Sequence, residues 1–426
     1  MNTTENIRTA REVLKKVLEG PCDFYREKYT REHVDAFAIA EGVGHWDSLP
    51  FLTRSDIQRV PFWNRLFTSA DEIDLIRVTS GTSGMGILPV PRTQRYPRGE
   101  IFDKSYLKRK NFKRAATFSG AQCLYAGMFR DLLGIDLLQL DPGNTPVSNA
   151  LLAEYMPEVI LGFPYTITAM LPHLSQRVID SIKMVILFGE YCSPSQLQLM
   201  RKAFYGAEVV SEYASVESQT TLAGPCPRII REKKWWVHPY PRYALFELVH
   251  LDSGVTITEE GILGELIVTV LRPTVFPLIR YKTGDSARIV KRMCDCEIGS
   301  PAFSIDGRIH IDRLRIPRGE LHAGEIDRTL STLNKSFACD SLTLRYAESL
   351  QGGKVLLPKV TAMLWWDDSK IDSHRLASLI AETLYVNPSM TYADGVKKGF
   401  YLPLSVEKTE KQEGTKKRVR IIKDSV

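Results

Sequence analysis

Apolar and polar positions change their spacing several times along this chain, and each change predicts a different element. Over residues 6–18 and again over 29–42 the apolar positions recur at helical spacing with polar residues between them, which predicts helices with one solvated face. An apolar run over 73–78 predicts a strand. Beyond it helix and strand patterns alternate, at 98–108, 122–128, 137–140, 148–156, 159–161, 165–174 and 184–188. Strands alternating with helices of this length predict a mixed α/β sheet layered by helices. A region rich in hairpin signals follows at 235–250 and 264–271, with Pro and Gly at its turns. After Gly307-Arg308 the pattern predicts a strand at 314–316, a helix at 323–333, strands near 342–346 and at 360–366, and a helix at 373–384. A basic tail completes an α+β unit, so the chain divides into 1–306 and 307–426.

Composition narrows the class. At 426 residues the chain is too long for one ordinary core, which agrees with two domains. Apolar content of 44% and charged content of 25% are those of a globular protein, and no apolar run is long enough to span a bilayer. The first residues carry no basic stretch followed by an apolar one, so a cytoplasmic location without membrane attachment is expected. A net charge of +6 is modest; basic residues crowd 104–113 and 408–423, where solvated faces explain them as well as an attraction for phosphate does. Nothing interleaves aromatics with these charges as a nucleic-acid reader does. Seven cysteines in such a chain are expected to stay reduced.

Candidate chemistry begins at Thr79-Ser80-Gly81-Thr82-Ser83-Gly84-Met85-Gly86, directly after the predicted strand. Glycines let backbone N–H groups approach a ligand, and the hydroxyls add donors for phosphate oxygens. Read alone, the string is equally a Ser/Gly turn. The nucleotide-binding loop that ends in Gly-Lys-Ser/Thr does not fit it. Further on, the buried-looking strand Met184-Val185-Ile186-Leu187-Phe188 ends in Gly189-Glu190-Tyr191. The strand Val209-Val210-Ser211 runs into Glu212-Tyr213-Ala214-Ser215-Val216-Glu217, an aromatic and a carboxylate four positions apart. Strand ends of this kind are where α/β folds place ligands. Cys294-Asp295-Cys296 puts two thiols close together, and Cys226 and His238, each beside a proline, supply a third thiol and an imidazole. Three cysteines and one histidine form a closed structural zinc set, the alternative being reduced, unliganded thiols.

Taken in order, these strings resemble the motifs of the adenylate-forming superfamily of acyl- and aryl-CoA synthetases and luciferases. The Ser80-to-Gly84 string is similar to its phosphate loop, with Met85-Gly86 where Lys-Pro is usual. Tyr213-Ala214-Ser215-Val216-Glu217 resembles "Y-G-x-S/T-E", with Ala214 at the glycine. Phe276-Pro277-Leu278-Ile279-Arg280-Tyr281-Lys282-Thr283-Gly284-Asp285 resembles "P-L/V-I-R-Y-R-T-G-D". Gly307-Arg308 matches the "G-R" that opens the hinge, and Glu413-Gly414-Thr415-Lys416-Lys417-Arg418-Val419-Arg420 resembles the C-terminal "E-G-K-x-x-R-V". Phe51-Leu52-Thr53-Arg54-Ser55-Asp56-Ile57 is similar to a helix start of the phenylacetate–CoA ligase-like branch, with Thr53 as N-cap.

The resemblance implies a large multi-layer α/β adenylation domain followed by a small mobile α+β lid. It implies ATP bound by Ser80, Gly81, Thr82, Ser83 and Gly84, with Gly189, Glu190 and Tyr191 beside the adenine and Tyr213 stacked on it. Asp285 and Arg308 would hold the ribose or phosphate and Glu217 the Mg²⁺. Lys417 would bridge the carboxylate substrate and the α-phosphate, or a neighbour such as Lys416 if the register shifts. Tyr125, Phe129 and Ala214 would border the acid. Several members of the branch share the order of Cys226, His238, Cys294 and Cys296, which implies Zn²⁺. The implied activity is ATP-dependent activation of an aromatic carboxylic acid as an acyl-adenylate, then transfer to coenzyme A. The alternatives are transfer to an amine or hydroxyl acceptor in a specialised biosynthetic ligase, or a nucleotide-binding descendant without catalysis. A homodimer is among the expected assemblies.

Overall fold

The computed structural model describes residues 3–78, 88–93, 109–118, 134–141, 145–189, 192, 194–218, 221–241, 243–272, 274–296, 298–309, 313–351, 355–367, 369–387, 389–410 and 421–423. It opens with the amphipathic helix Thr3–Glu19, followed by Phe24–Arg31 and Ala36–Ala40. The single helix expected over 29–42 is therefore broken. His33 turns into the left-handed region at φ 56°, and Asp35 starts a new helix by accepting the Ala38 N–H at 3.0 Å. Capping by a short carboxylate outcompeted the helical spacing around it.

A two-stranded ribbon, β1 (Leu75–Val78) and β2 (Pro89–Arg92), precedes the first large sheet. That sheet is parallel: β3 (Arg114–Thr117), β4 (Asp136–Gln139), β5 (Val159–Gly162), β6 (Met184–Leu187) and β7 (Glu208–Ser211), in the order β4-β3-β5-β6-β7. Its central strands are buried on both faces. Ile160, Val185 and Leu187 pack with Met200 and Phe204, while Val159, Leu161, Met184 and Ile186 pack with Phe112 and Ile135. Helices cover the sheet, so these strands read as unbroken apolar runs rather than as alternation.

The chain then builds a small antiparallel sheet from β8 (Tyr213–Ala214), β9 (Thr221–Gly224) and β10 (His238–Pro239). A meander follows, β11 (Ala244–Val249), β12 (Leu263–Val270), β13 (Tyr281–Lys291) and β14 (Ala302–Arg308). The N-terminal helices close one face of this meander. Leu14, Tyr25, Tyr29 and Leu52 share one core with Leu245, Val268, Ile279 and Tyr281. Each such side chain contributes about 1.5–3 kcal/mol when fully buried.

One charged group lies inside that junction. The Arg280 side chain is 2% exposed and pairs with Glu247 at 3.0 Å. It donates to the carbonyls of Asp47 and Leu49 at 2.6 and 2.5 Å, and its guanidinium covers the Phe51 ring. Trp46 Nε1 donates to the second Glu247 oxygen at 3.1 Å. Burial pushes the Glu247 carboxyl up, and the Arg280 charge opposes that shift.

The remaining strands are β15 (Arg313–Ile316), β16 (Gly319–His322), β17 (Cys339–Gln351), β18 (Val355–Trp366), β19 (Tyr385–Asn387), β20 (Met390–Thr391), β21 (Ser405–Lys408) and β22 (Ile421–Lys423). β17 and β18 form a long antiparallel hairpin, flanked by β22 and β21 as parallel neighbours. The helices Ala323–Leu333 and Ser373–Thr383 pack on it, and residues from Ile316 to Ile421 enclose a core of their own. The architecture is mixed α/β with several sheets. Among the described residues no helix is long and apolar enough to cross a membrane.

Removing either partner of the Arg280–Glu247 pair leaves an uncompensated buried charge. Arg280→Ala and Glu247→Ala are each expected to cost about 3–5 kcal/mol, whereas the double variant Arg280→Met/Glu247→Leu costs less than either. Urea unfolding midpoints check this; a double variant less stable than both singles contradicts it.

Candidate active site

Strands from three parts of the chain converge on one cleft. β7 leaves the edge of the parallel sheet and passes at once into β8, which carries Tyr213. β13 and β14 bring Asp285 and Arg308 opposite each other in register. The Tyr213 hydroxyl donates to Asp285 Oδ2 at 2.6 Å, and Arg308 Nε lies 3.0 Å from Oδ1. Arg308 also donates to the Thr283 carbonyl at 2.6 Å, which ties the guanidinium to the turn before Asp285. Burial, and after it the Asp285 charge, pushes the Tyr213 phenol well above its ordinary range. The same carboxylate pushes Arg308 up, so the guanidinium stays charged. Gly189, Glu212, Ala214, Trp235 and Val237 border the cleft with these three. Gly189 has φ 78°, and a Cβ there would stand 2.5 Å from the Phe163 ring, so both conformation and space require glycine.

Glu217 lies four residues past Tyr213, near-buried at 11% side-chain exposure, with Arg54 Nη1 3.1 Å from its Oε1. Arg54 is the first residue of the helix Arg54–Arg59. Thr53 and Asp56 cap that helix reciprocally, and Lys28 reaches Asp56 at 3.3 Å. Burial first and the Glu217 charge second push the Tyr281 hydroxyl up, with Asp285 adding to the same effect.

A second cluster lies behind the cleft. The ligating atoms of Cys226, His238, Cys294 and Cys296 all fall within 4.8 Å of one another. Cys226 caps the helix Pro227–Arg231 through the Ile229 N–H. His238 is fully buried; its Nδ1 lies 2.9 Å from the Pro301 carbonyl, and its Nε2 lies 3.7 Å from Cys296 Sγ. Donation from Nδ1 fixes the tautomer that turns a lone pair on Nε2 toward the sulfurs. Burial lowers the His238 pKa, which favours that neutral form. Cys294 is pushed up to about 12, first by burial and then by its bond with Cys296. Burial raises Cys296 too, but the N–H groups of Gly299 and Ile298 outweigh it and hold this thiol low. Tetrahedral zinc with metal–sulfur bonds of about 2.3 Å sets its ligands roughly 3.8 Å apart, so this donor set fits the ion in size and chemistry.

No protein-family model matches the chain. The phenylacetate–coenzyme A ligase of Pseudomonas putida is 20% identical over 294 residues, 62% of this chain and 62% of that one. Its counterpart in Thermus thermophilus is 21% identical over 288 residues, 64% and 62% of the two chains. The Escherichia coli K12 ligase of the same name is 22% identical over 293 residues, 62% of each. The chain is thus similar, at 20–22% identity, to these curated phenylacetate–coenzyme A ligases. It spans 62% of the length of these curated relatives. The fold of a solved acyl-CoA ligase extends over nearly all of it. A solved 2-hydroxyisobutyryl-CoA ligase in complex with 2-HIB-AMP and CoA superposes with a TM-score of 0.64 at 15% identity, covering 99% of this chain and 89% of that one. The same ligase in its postadenylation state gives 0.60 over 98% and 89%.

Of the superfamily positions singled out from sequence, Gly189, Tyr213, Ala214, Asp285 and Arg308 meet at the one cleft. Glu217 stands on the Arg54 side, and the four zinc-type ligands come together. Ser80, Gly81, Thr82, Ser83, Gly84, Tyr125, Phe129, Glu190, Tyr191 and Lys417 lie outside the described residues. Sequence reasoning missed Glu212 and Trp235 in the cleft wall and Arg54 as the partner of Glu217. Arg54 had a signal, since it directly follows the Thr53 cap; Trp235 had only its nearness to His238.

Tyr213→Phe removes the 2.6 Å bond and leaves Asp285 with Arg308. A hydrogen bond to a charged group contributes about 1.5–3 kcal/mol. The urea midpoint should fall accordingly; an unchanged midpoint means that the Tyr213–Asp285 contact contributes nothing to folding.

Proposed function

We propose that this chain activates an aryl carboxylic acid with MgATP, forming an acyl-adenylate and pyrophosphate, and then transfers the acyl group to coenzyme A. The observation that carries this reading is the Tyr213–Asp285–Arg308 constellation at the end of a parallel sheet, on a fold shared with acyl-CoA ligases. In this reading 1–306 is the nucleotide- and acid-binding domain and 307–426 the lid. Tyr213 offers its ring to adenine while its hydroxyl keeps Asp285 oriented toward the ribose hydroxyls. Arg308 balances Asp285 and faces incoming phosphate oxygens. Ser80 to Gly84 supply donors to the phosphates, and Gly189 leaves room for the base. The aryl preference follows from the relatives named phenylacetate–coenzyme A ligases, with Tyr125 and Phe129 as the aromatic wall.

A substrate carboxylate oxygen attacks the α-phosphorus, the bond to the bridging oxygen breaks, and its electron pair leaves with pyrophosphate. Lys417 neutralises charge between carboxylate and α-phosphate as it accumulates. The thiolate of coenzyme A then attacks the acyl carbon and AMP departs. Glu217 is the carboxylate we assign to Mg²⁺, which would screen the triphosphate; a hard oxygen donor beside the nucleotide suits that ion. Cys226, His238, Cys294 and Cys296 would hold Zn²⁺ in a structural role, with no part in the bond changes. We assign the chemistry to the cytoplasm, in keeping with free thiols at every described cysteine.

Acid-dependent exchange of labelled pyrophosphate into ATP tests the proposal. Exchange should appear with at least one member of an aryl-acid panel, and Glu217→Gln and Asp285→Ala should each reduce it by about 100-fold or more while remaining folded. A thioester detected by mass spectrometry when coenzyme A is added identifies the acceptor. Absence of exchange across aryl and alkyl acids refutes the reading.

A further inference from the structure

Val237 stands between the thiol cluster and the cleft. It borders the cleft, and the next residue, His238, supplies the imidazole of the cluster. Its backbone is clamped to Phe303, each N–H donating to the other's carbonyl at 2.9 Å. Two ladders leave this crossing for the nucleotide constellation. Along the first, His238 lies opposite Gly224, Pro239 opposite Ala223, and Ala223 opposite Tyr213. Along the second, β14 starts from Ser300 and Pro301, which hold His238 Nδ1 at 3.3 and 2.9 Å, and ends at Arg308 opposite Asp285. Both arms that bring Tyr213 onto Asp285 and Arg308 thus begin at residues in or against the cluster.

Among the described residues, the surroundings of the cluster are otherwise linked by surface contacts, chiefly Arg228 with Asp295 at 2.7 Å and Lys291 with Asp295 at 3.1 Å. Among the described residues its apolar core comprises Cys226, Ile229, Cys294 and Ala302, with a few half-buried neighbours such as Trp236 and Ile298. So small a core opens locally at low cost unless something cross-links it. Gly224 permits close packing of the first ladder, because a Cβ there would stand 2.2 Å from the Tyr240 hydroxyl.

We propose that the Cys226–His238–Cys294–Cys296 cluster, when it holds zinc, is the positioning element of the nucleotide cleft, so that zinc and adenine nucleotide bind with positive coupling. The inference rests on the nucleotide reading of the cleft. Without the ion, the segments around Cys226–His238 and Cys294–Cys296 lose their buried anchor and keep the exposed Arg228–Asp295 pair between them, so the Trp235–Val237 wall and the Arg308 end of β14 lose their fixed spacing from Tyr213. Coupling of this kind is reciprocal, since each ligand must change the other's affinity by the same factor.

The experiment uses the full chain, zinc-loaded and chelator-stripped, with AMP as the probe so that no turnover intervenes. Calorimetry should find AMP bound about 5- to 100-fold more tightly by the zinc-loaded form, and competition with a chromophoric chelator should find zinc held more tightly by the same factor when AMP is saturating. Cys296→Ser, at the half-exposed ligand, should bind AMP as weakly as stripped wild type; if it does not fold, the wild-type competition decides. Equal AMP affinity in the two forms overturns the coupling and leaves the nucleotide reading standing. A chain that takes up no zinc does the same. A zinc-loaded chain that binds no AMP overturns both readings, and wholesale loss of circular dichroism on stripping replaces local positioning by global folding.

Discussion

Arg280 is a cation shut away from water, and the geometry of the large α/β unit depends on how it is satisfied. Glu247 supplies the opposite charge from β11, and the carbonyls of Asp47 and Leu49 come from the N-terminal segment. Such a group is costly to bury unless every donor finds a partner, so the N-terminal segment can dock in few ways. Its backbone follows suit: Leu52 exchanges hydrogen bonds with Arg280 and Lys282 on either side of Tyr281. Five residues after Arg280 comes Asp285. The N-terminal segment is therefore part of what aims the cleft.

Charge in the cleft region is balanced in pairs. Asp285 faces Arg308 and Glu217 faces Arg54, each at about hydrogen-bond distance. Neither carboxylate is left uncompensated in its largely buried place, which would be costly. Under the proposed function, a phosphate-bearing ligand in the cleft would meet an Arg308 guanidinium already ordered by Asp285 rather than a free side chain. Ordering in advance lowers the entropy lost on binding.

How much of this could be read from sequence follows from what kind of contact each feature is. Tyr213 to Glu217, Phe276 to Asp285 and Cys294-Asp295-Cys296 are contiguous strings, and they stood out. The strands β5 and β6 were legible because burial on both faces leaves no polar interruption. Pairings set by register were not: the Tyr213–Asp285 bond, the Arg54–Glu217 pair and the Glu247–Arg280 pair each join residues from different elements. The same holds for β17, which extends from 339 to 351 although only its middle reads as a strand, because its partner β18 lends it ladder bonds along its length. His33 shows the reverse case, where a local turn and an Asp cap overrode a periodicity that pointed to one helix. The roles of Ser80 to Gly84, Tyr125, Phe129 and Lys417 rest on the motif strings.

The C-terminal hairpin has a further consequence for how the chain acquires its shape. β22 pairs in parallel with β17, Ile421 against Leu344, and Ile421 is buried in the core that Leu344 shares. Parallel partners so far apart in sequence cannot meet until everything between them has been made, and the entropy of closing so long a loop slows their meeting. During synthesis β17 and β18 can zip together early, but the edge of β17 at Leu344–Tyr346 then waits, with unpaired amides and carbonyls, for β22 to leave the ribosome. An open edge is a surface on which chains pair with each other. The interval before residues 421–423 arrive is thus the stage at which this protein is most exposed to misassembly, and the order of translation becomes part of its folding problem.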